Sequence, residues 1–303
     1  MTTSEHKMTA AAFSKALELL DGGDLDGALA AFARAIELDA RQAQIYARRA
    51  AAWHRKGDIR LALADCDAAI GLEPSNAAYH HMRGNLRNVQ ADIDGAIADF
   101  DAAINLDPTF AAAYVDRGMA RFLKTDVAGA HADYDAALRL DPRQPNAHHM
   151  RALARRAVGD LAGARDDLDV ALRIDGDTAD VHNDRGRVNT ERGDLQSACA
   201  DYEAAARLRP SWSRPHSNRG WALVLAGDLD EALRAFSRAL ALDPGDALAV
   251  YGHRAVALRR DGGAGAETNV AAELVNDPDV ARMIAASGVA PIADLAEVPS
   301  LEP

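Results

Sequence analysis

The sequence predicts an all-α solenoid of antiparallel helix hairpins, and three observations lead there. A small residue, then Asp, then an aliphatic residue recurs every 34 residues without insertion: Gly23-Asp24-Leu25, Gly57-Asp58-Ile59, Ala91-Asp92-Ile93, Thr125-Asp126-Val127, Gly159-Asp160-Leu161, Gly193-Asp194-Leu195 and Gly227-Asp228-Leu229. Within each period, small and large apolar residues return at helical spacing. The composition suits close helix packing, with 49% hydrophobic residues but only 5% aromatics, much of the apolar content being Ala.

Starting the period at Thr9 divides the chain into windows 9–42, 43–76, 77–110, 111–144, 145–178, 179–212 and 213–246, with an eroded eighth at 247–280. Position 8 of the window is small in the first seven copies: Ala16, Ala50, Gly84, Gly118, Ala152, Gly186 and Gly220. Gly at position 15 suits the left-handed residue that ends a first helix, and Asp at position 16 can cap a second by accepting from its free N–H groups. In that second helix Ala recurs at position 20 (Ala28 through Ala266), a mostly large residue at 24 (Phe32, Cys66, Phe100, Tyr134, Leu168, Tyr202, Phe236, Val270) and Ala at 27 until Glu273. These columns fall at i, i+4 and i+7, one stripe of a 3.6-residue helix. Pro at position 32 (Pro74, Pro108, Pro142, Pro210, Pro244, Pro278) cannot continue a helix interior and separates one hairpin from the next.

The ends read differently. Residues 1–8 are expected to be a flexible N-terminus. After Asp277-Pro278, the stretch 279–287 reads as a capping helix that closes the array. Residues 281–303 then comprise the end of that helix and an acidic tail, with Pro291, Pro299 and Pro303, expected to be disordered.

The bulk charge narrows the function classes. With 34 basic against 46 acidic residues the formal net charge is −12, which repels nucleic acid unless one face is locally basic. Only Lys7, Lys15, Lys56 and Lys124 are lysines, a bias that suggests a GC-rich bacterial gene. Cys66 and Cys199 lie far apart at apolar repeat positions, where a thiol behaves as a small core residue. The N-terminal residues show no secretory pattern and no segment suits a membrane span, so a cytoplasmic location is expected.

The columns together resemble the tetratricopeptide repeat family, whose pattern is an aromatic at position 4, small at 8, Ala at 20, aromatic at 24, Ala at 27 and Pro at 32. The resemblance covers roughly residues 9–280, departing at Ala40 and Gly176, where Pro belongs, and at Arg254 and Glu273 in the eighth copy. It implies a right-handed superhelical solenoid that holds another protein or peptide, without a cofactor, a metal or catalytic residues, and as a monomer in its simplest form.

One column departs from the family's Leu at position 7: Lys15, Arg49, Arg83, Arg117, Arg151, Arg185 and Arg219. Position 23 is Asp65, Asp99, Asp133, Asp167 and Asp201 in the middle copies, but Ala31 and Ala235 in the first and seventh. A regular Arg column invites a phosphate or nucleic-acid reading. The alternative, preferred here, is that each Arg spans its hairpin to the Asp while its aliphatic stem packs where Leu would sit. His80, His148, His182 and His216 occupy position 4, with His81 and His149 beside two of them. They are expected to replace the packed aromatic, as Tyr46 and Tyr114 do elsewhere, rather than to bind metal, since no carboxylate or Cys joins them at ligand spacing.

The resemblance also implies that positions 2, 5, 9, 12 and 13 of each first helix line a concave groove. Here they are His81, Asn85 and Asn88; then Val115, Met119, Phe122 and Leu123; then Asn146, His149 and Arg156; then Asn183, Arg187 and Glu191; then Arg214, Trp221, Val224 and Leu225. Two apolar patches, around Phe122 and Trp221, are thus expected to flank a polar stretch. Asn amides suit an extended backbone and Arg suits a carboxylate, so the expected partner segment has apolar anchors and some acidic character. The family's two-carboxylate clamp for chaperone tails is not matched, because position 5 is never Lys and Asn85 is followed in the next copy by Asp116 at position 6.

The competing readings are a structural spacer or self-assembling array whose groove is partly filled by its own tail, and an RNA-binding helical repeat. Catalysis has little room, because the repeats take up most of the chain and Asp261-Gly-Gly-Ala-Gly265 falls at the turn of the eighth copy rather than in a phosphate loop.

Overall fold

A computed structural model describes residues 3–176 and 178–260, and among them the chain forms fifteen helices and no strand. It is an all-α helical-repeat solenoid built as two compact units, Met1–Pro142 and Arg143–Pro303. The first unit holds α1 (Thr3–Asp21), α2 (Leu25–Leu38), α3 (Ala43–Lys56), α4 (Ile59–Leu72), α5 (Ala77–Val89), α6 (Ile93–Leu106), α7 (Ala111–Leu123) and α8 (Val127–Leu140). The second holds α9 (Pro145–Ala157), α10 (Leu161–Asp175), α11 (Ala179–Glu191), α12 (Leu195–Leu208), α13 (Arg214–Leu225), α14 (Leu229–Leu242) and α15 (Ala247–Arg260). Within each unit an odd-numbered helix pairs with the even-numbered one after it, and that helix packs in turn on the next odd-numbered one.

Each hairpin turn is built by two adjacent residues. Asp24, Asp58, Asp92, Asp126, Asp160, Asp194 and Asp228 each accept from the backbone N–H three residues on, at 2.9–3.2 Å. The residue before each Asp is left-handed. Glycine takes this conformation freely at Gly57, with φ +88°, but Ala91 and Thr125 are forced into it at +61° and +63°.

Close approach of the paired helices explains the small-residue columns. The position-20 alanines from Ala28 to Ala232 are fully buried, and so are their position-27 counterparts. From the second to the seventh hairpin the choice between Gly and Ala at position 8 follows the partner at position 24, whereas the first hairpin packs Ala16 in one cluster with Phe32. A Cβ placed on Gly84, Gly118, Gly186 or Gly220 would stand 2.5–2.7 Å from the ring of Phe100, Tyr134, Tyr202 or Phe236. Ala50 and Ala152 instead face the smaller Cys66 and Leu168 in their clusters. Burial pushes the Cys66 thiol up to about 12, which keeps it an unreactive core group.

α1 begins at Thr3, within the stretch 1–8 expected to be a flexible N-terminus. Thr3 to Met8 contains neither Gly nor Pro, and extending a helix already anchored by the buried Thr9 orders few dihedrals per hydrogen bond gained. The expected capping helix, the acidic tail and the Asp261–Gly265 turn lie outside the described residues.

Candidate functional site

The arginine column is consumed within the hairpins. Arg49 donates from Nε and Nη2 to Asp65 at 2.7 and 2.6 Å, and the same two-pronged contact joins Arg83 to Asp99, Arg117 to Asp133, Arg151 to Asp167 and Arg185 to Asp201. Nη1 of Arg83, Arg117 and Arg185 reaches a second carboxylate in the preceding hairpin, namely Asp67, Asp101 and Asp169, at 2.6–2.7 Å. Four of the five buried Asp residues, all but Asp65, whose repeat carries Trp53 at the donor's position, also take a second donor from their own odd-numbered helix. These are Arg87 on Asp99 at 2.8 Å, Arg121 on Asp133 at 2.8 Å, Arg155 on Asp167 at 2.9 Å and Asn189 on Asp201 at 2.9 Å. Burial raises the Asp201 carboxyl, but hydrogen bonds from His182 and Arg185 and their charges outweigh it and hold the group below the ordinary carboxylate value. From Arg49 to Arg185 the column is therefore internal wiring and offers little to an external anion.

Two of the four position-4 histidines join the same wiring. Nδ1 of His148 and His182 lies 3.2 Å from Asp167 and Asp201. The second donor was not anticipated, yet the sequence carries its signal. Position 11 is Arg or Asn in the copies with Arg87, Arg121, Arg155 and Asn189, where position 23 is Asp, and Leu19 or Leu223 in the copies where it is Ala31 or Ala235.

On the odd-numbered helices, several expected groove residues are tied to the next repeat. His81 Nε2 lies 2.6 Å from Asp116, and its ring packs on Phe110 at 4.7 Å between centroids. His149 Nε2 lies 2.8 Å from Asp184, Asn218 donates to Asn183 at 2.9 Å, and Arg156 donates to Glu191 at 2.6 Å. All four pairs are 35 residues apart, one repeat plus one residue, which brings position 5 or 12 of one helix beside position 6 or 13 of the next. Arg187 approaches Asp184 at 3.3 Å, and burial together with the neighbouring Arg156 charge lowers its guanidinium pKa.

The two expected apolar patches fare differently. In the first unit, Met119 and Leu123 are 37% and 62% exposed, Phe122 is half-buried, and Val89, one repeat earlier than Leu123, is 59% exposed. Val89 was overlooked although it occupies the same column as Leu123. Asn85 and Asn88 stand one helix away, half-buried, and the Asn88 amide oxygen is buried without a hydrogen-bond partner.

In the second unit, Trp221 is only 3% exposed and Val224 is buried too, which corrects the expectation of an open patch there. The reason is α15: Tyr251 stacks on the Trp221 ring at 5.3 Å while Phe236 meets it edge-on at 5.6 Å. Leu225 is half-buried and Arg214 exposed, so neither restores an apolar surface. Asn183 is likewise buried.

Comparison with known proteins adds the family context. Tetratricopeptide repeat models match residues 13–77, 81–145 and 149–212, and again 213–246. No curated protein sequence matches significantly. Among solved structures, pilF of Pseudomonas aeruginosa is similar over 70% of this chain and 97% of its own, at 20% identity and a TM-score of 0.63. A tetratricopeptide repeat protein from Parabacteroides merdae is similar over 82% and 98%, at 16% identity and 0.64. YrrB, described as having an unusual peptide-binding site, is similar over 62% and 97%, at 20% identity and 0.53. At these identities the likeness is one of fold.

Proposed function

Because the chain belongs to the tetratricopeptide repeat family, we propose that it is a non-enzymatic protein-interaction scaffold that holds a peptide segment on the odd-numbered helices of its first unit. The observation that supports this reading is the open apolar surface of Val89, Met119 and Leu123, with Phe122 half-buried at its edge. Exposed large side chains at one spot cost solvation unless a partner covers them. The neighbouring Asn85 and Asn88 amides can donate to and accept from an extended backbone, and the buried Asn88 oxygen is short of a donor. The family resemblance assigns these positions to the binding face, and one similar structure is described as a tetratricopeptide repeat protein with an unusual peptide-binding site. The partner segment is therefore a short peptide with one or two apolar anchors.

The test is selection from a random peptide display library with wild type and with M119E/L123E, both first shown to have equal helicity and melting temperature. Enriched peptides should carry Leu, Phe or Met anchors and lose at least about tenfold in affinity for the variant, a change of roughly 1.4 kcal/mol. Peptides that bind both proteins equally would place the binding face elsewhere.

A further inference from the structure

The last complete hairpin breaks the ion-pair pattern, and a cavity of about 440 Å³ lies beside it among α12, α13 and α14. Its lining includes Arg207, His216, Arg219 and Arg238, with Glu203 the only acid, and Tyr202, Ala206 and Pro210 forming an apolar wall. Position 23 of this repeat is Ala235, so Arg219 lacks the buried Asp that its counterparts meet across the hairpin. It keeps Glu203 at 2.9 Å and reaches Glu231 only at 4.0 Å, while its Nε is buried without an acceptor. Arg83, Arg117 and Arg185 each meet two carboxylates within 2.7 Å. Among the described residues neither Arg207 nor Arg238 forms a salt bridge, and both are exposed. Three guanidinium groups thus face one carboxylate, in a chain whose net charge is −12. His216 lies within their field, its pKa lowered by burial and by the charges of Arg238 and Arg219.

We propose that this cavity binds a phosphate group, free or carried on a partner's side chain, through Arg207, Arg219 and Arg238. Two considerations select phosphate over carboxylate. A carboxylate offers two oxygens and a single charge, whereas a phosphate monoester offers three oxygens and nearly two charges. The unbalanced charge on the lining is also about two. His216 contributes by titration: a bound dianion raises its pKa, so it gains a proton and donates a further charged hydrogen bond. The apolar wall of Tyr202 and Pro210 suits the side chain or backbone next to a phosphorylated residue. The site uses positions 4 and 7 of α13 with the two flanking even-numbered helices, and so is separate from the peptide-binding positions proposed above.

The experiment is isothermal titration at neutral pH and constant ionic strength with inorganic phosphate, acetate, and a serine peptide with and without phosphorylation. Constant ionic strength keeps general screening from mimicking site binding. Wild type is compared with R207E/R238E, whose altered side chains are exposed and whose folding is checked by its melting curve. Phosphate and the phosphopeptide should bind wild type, acetate and the plain peptide at least about tenfold more weakly, and the variant should lose at least about tenfold of phosphate affinity. The His216 imidazole resonance should titrate at higher pH when phosphate is present. Equal affinities for phosphate and phosphopeptide identify the bare anion as the ligand, and a tighter phosphopeptide identifies the modified side chain. Acetate binding as tightly as phosphate, the plain peptide binding as tightly as the phosphopeptide, or a variant that keeps its affinity, would each overturn the proposal.

Discussion

Arg117 holds Asp133 by two hydrogen bonds, Nε at 3.0 Å and Nη2 at 2.5 Å, although the carboxylate is almost completely buried. Arg121 adds a third donor at 2.8 Å. The pair spans the two helices of one hairpin, with Arg117 standing at the position where the family carries Leu. A buried ion pair is costly to desolvate and costly to break, but not necessarily more stabilising than a hydrocarbon contact.

The Asp133→Ala variant should accordingly lose about 3 kcal/mol, because two guanidinium groups are left without their buried acceptor. Arg117→Ala should lose stability as well, leaving peptide affinity on the apolar face nearly unchanged. The triple variant R117L/R121L/D133A, which reproduces the Leu and Ala found in the seventh repeat at positions 11 and 23, should recover most of the loss. Urea unfolding followed by circular dichroism distinguishes these cases, and a triple variant as unstable as D133A would contradict the account.

Gly118→Ala should destabilise by about 1–3 kcal/mol, since the added Cβ would stand 2.7 Å from the Tyr134 ring, which is buried and cannot retreat. Pairing it with Tyr134→Leu, which imitates Ala152 and Leu168 of the fifth repeat, should be less damaging than the single change. A double-mutant cycle on melting temperatures reads this coupling directly.

Thr125→Gly should raise stability by about 1 kcal/mol, because Thr125 sits at φ +63°, a left-handed conformation costly for a β-branched residue. The gain is reduced by loss of the Thr125 hydroxyl bond to the Lys124 carbonyl and by glycine's greater freedom when unfolded. A fall in melting temperature would show that those two losses dominate.

Acid should weaken the second unit through Asp184 and Asp201. Burial raises both carboxyls, but His149 and Arg187 beside the first, and His182 and Arg185 beside the second, leave them below the ordinary aspartate value of 3.8. The unfolded chain therefore binds more protons than the folded one in this range. The stability these groups supply is complete above about 3.8 and is lost as the pH falls through their lower folded values. Melting curves recorded downward from pH of about 5 should show a fall that is shallower in Asp201→Asn.

The sequence by itself determined the repeat, its phase and the chemistry of each turn, because those features are local. An Asp one residue after a left-handed position caps a helix wherever it occurs, and small residues at fixed spacing mark helices that touch. The Arg–Asp pairing was legible too, since the two columns run side by side through the five middle repeats, and position 11 changes from Asn189 to Leu223 where position 23 changes from Asp201 to Ala235. Contacts between repeats were decided only by the tertiary structure. Position 5 of one helix meets position 6 of the next through packing geometry, which turned His81, His149 and Asn183 from free groove residues into partners of Asp116, Asp184 and Asn218. The same geometry decided which aromatic stays open. Trp221 carries the chemistry of an exposed anchor, but α15 lies over it and stacks Tyr251 on its ring, whereas within its own unit Leu123 keeps most of its surface uncovered and Met119 more than a third. Exposure depends on what the following helix covers, and no residue type or spacing states that in advance.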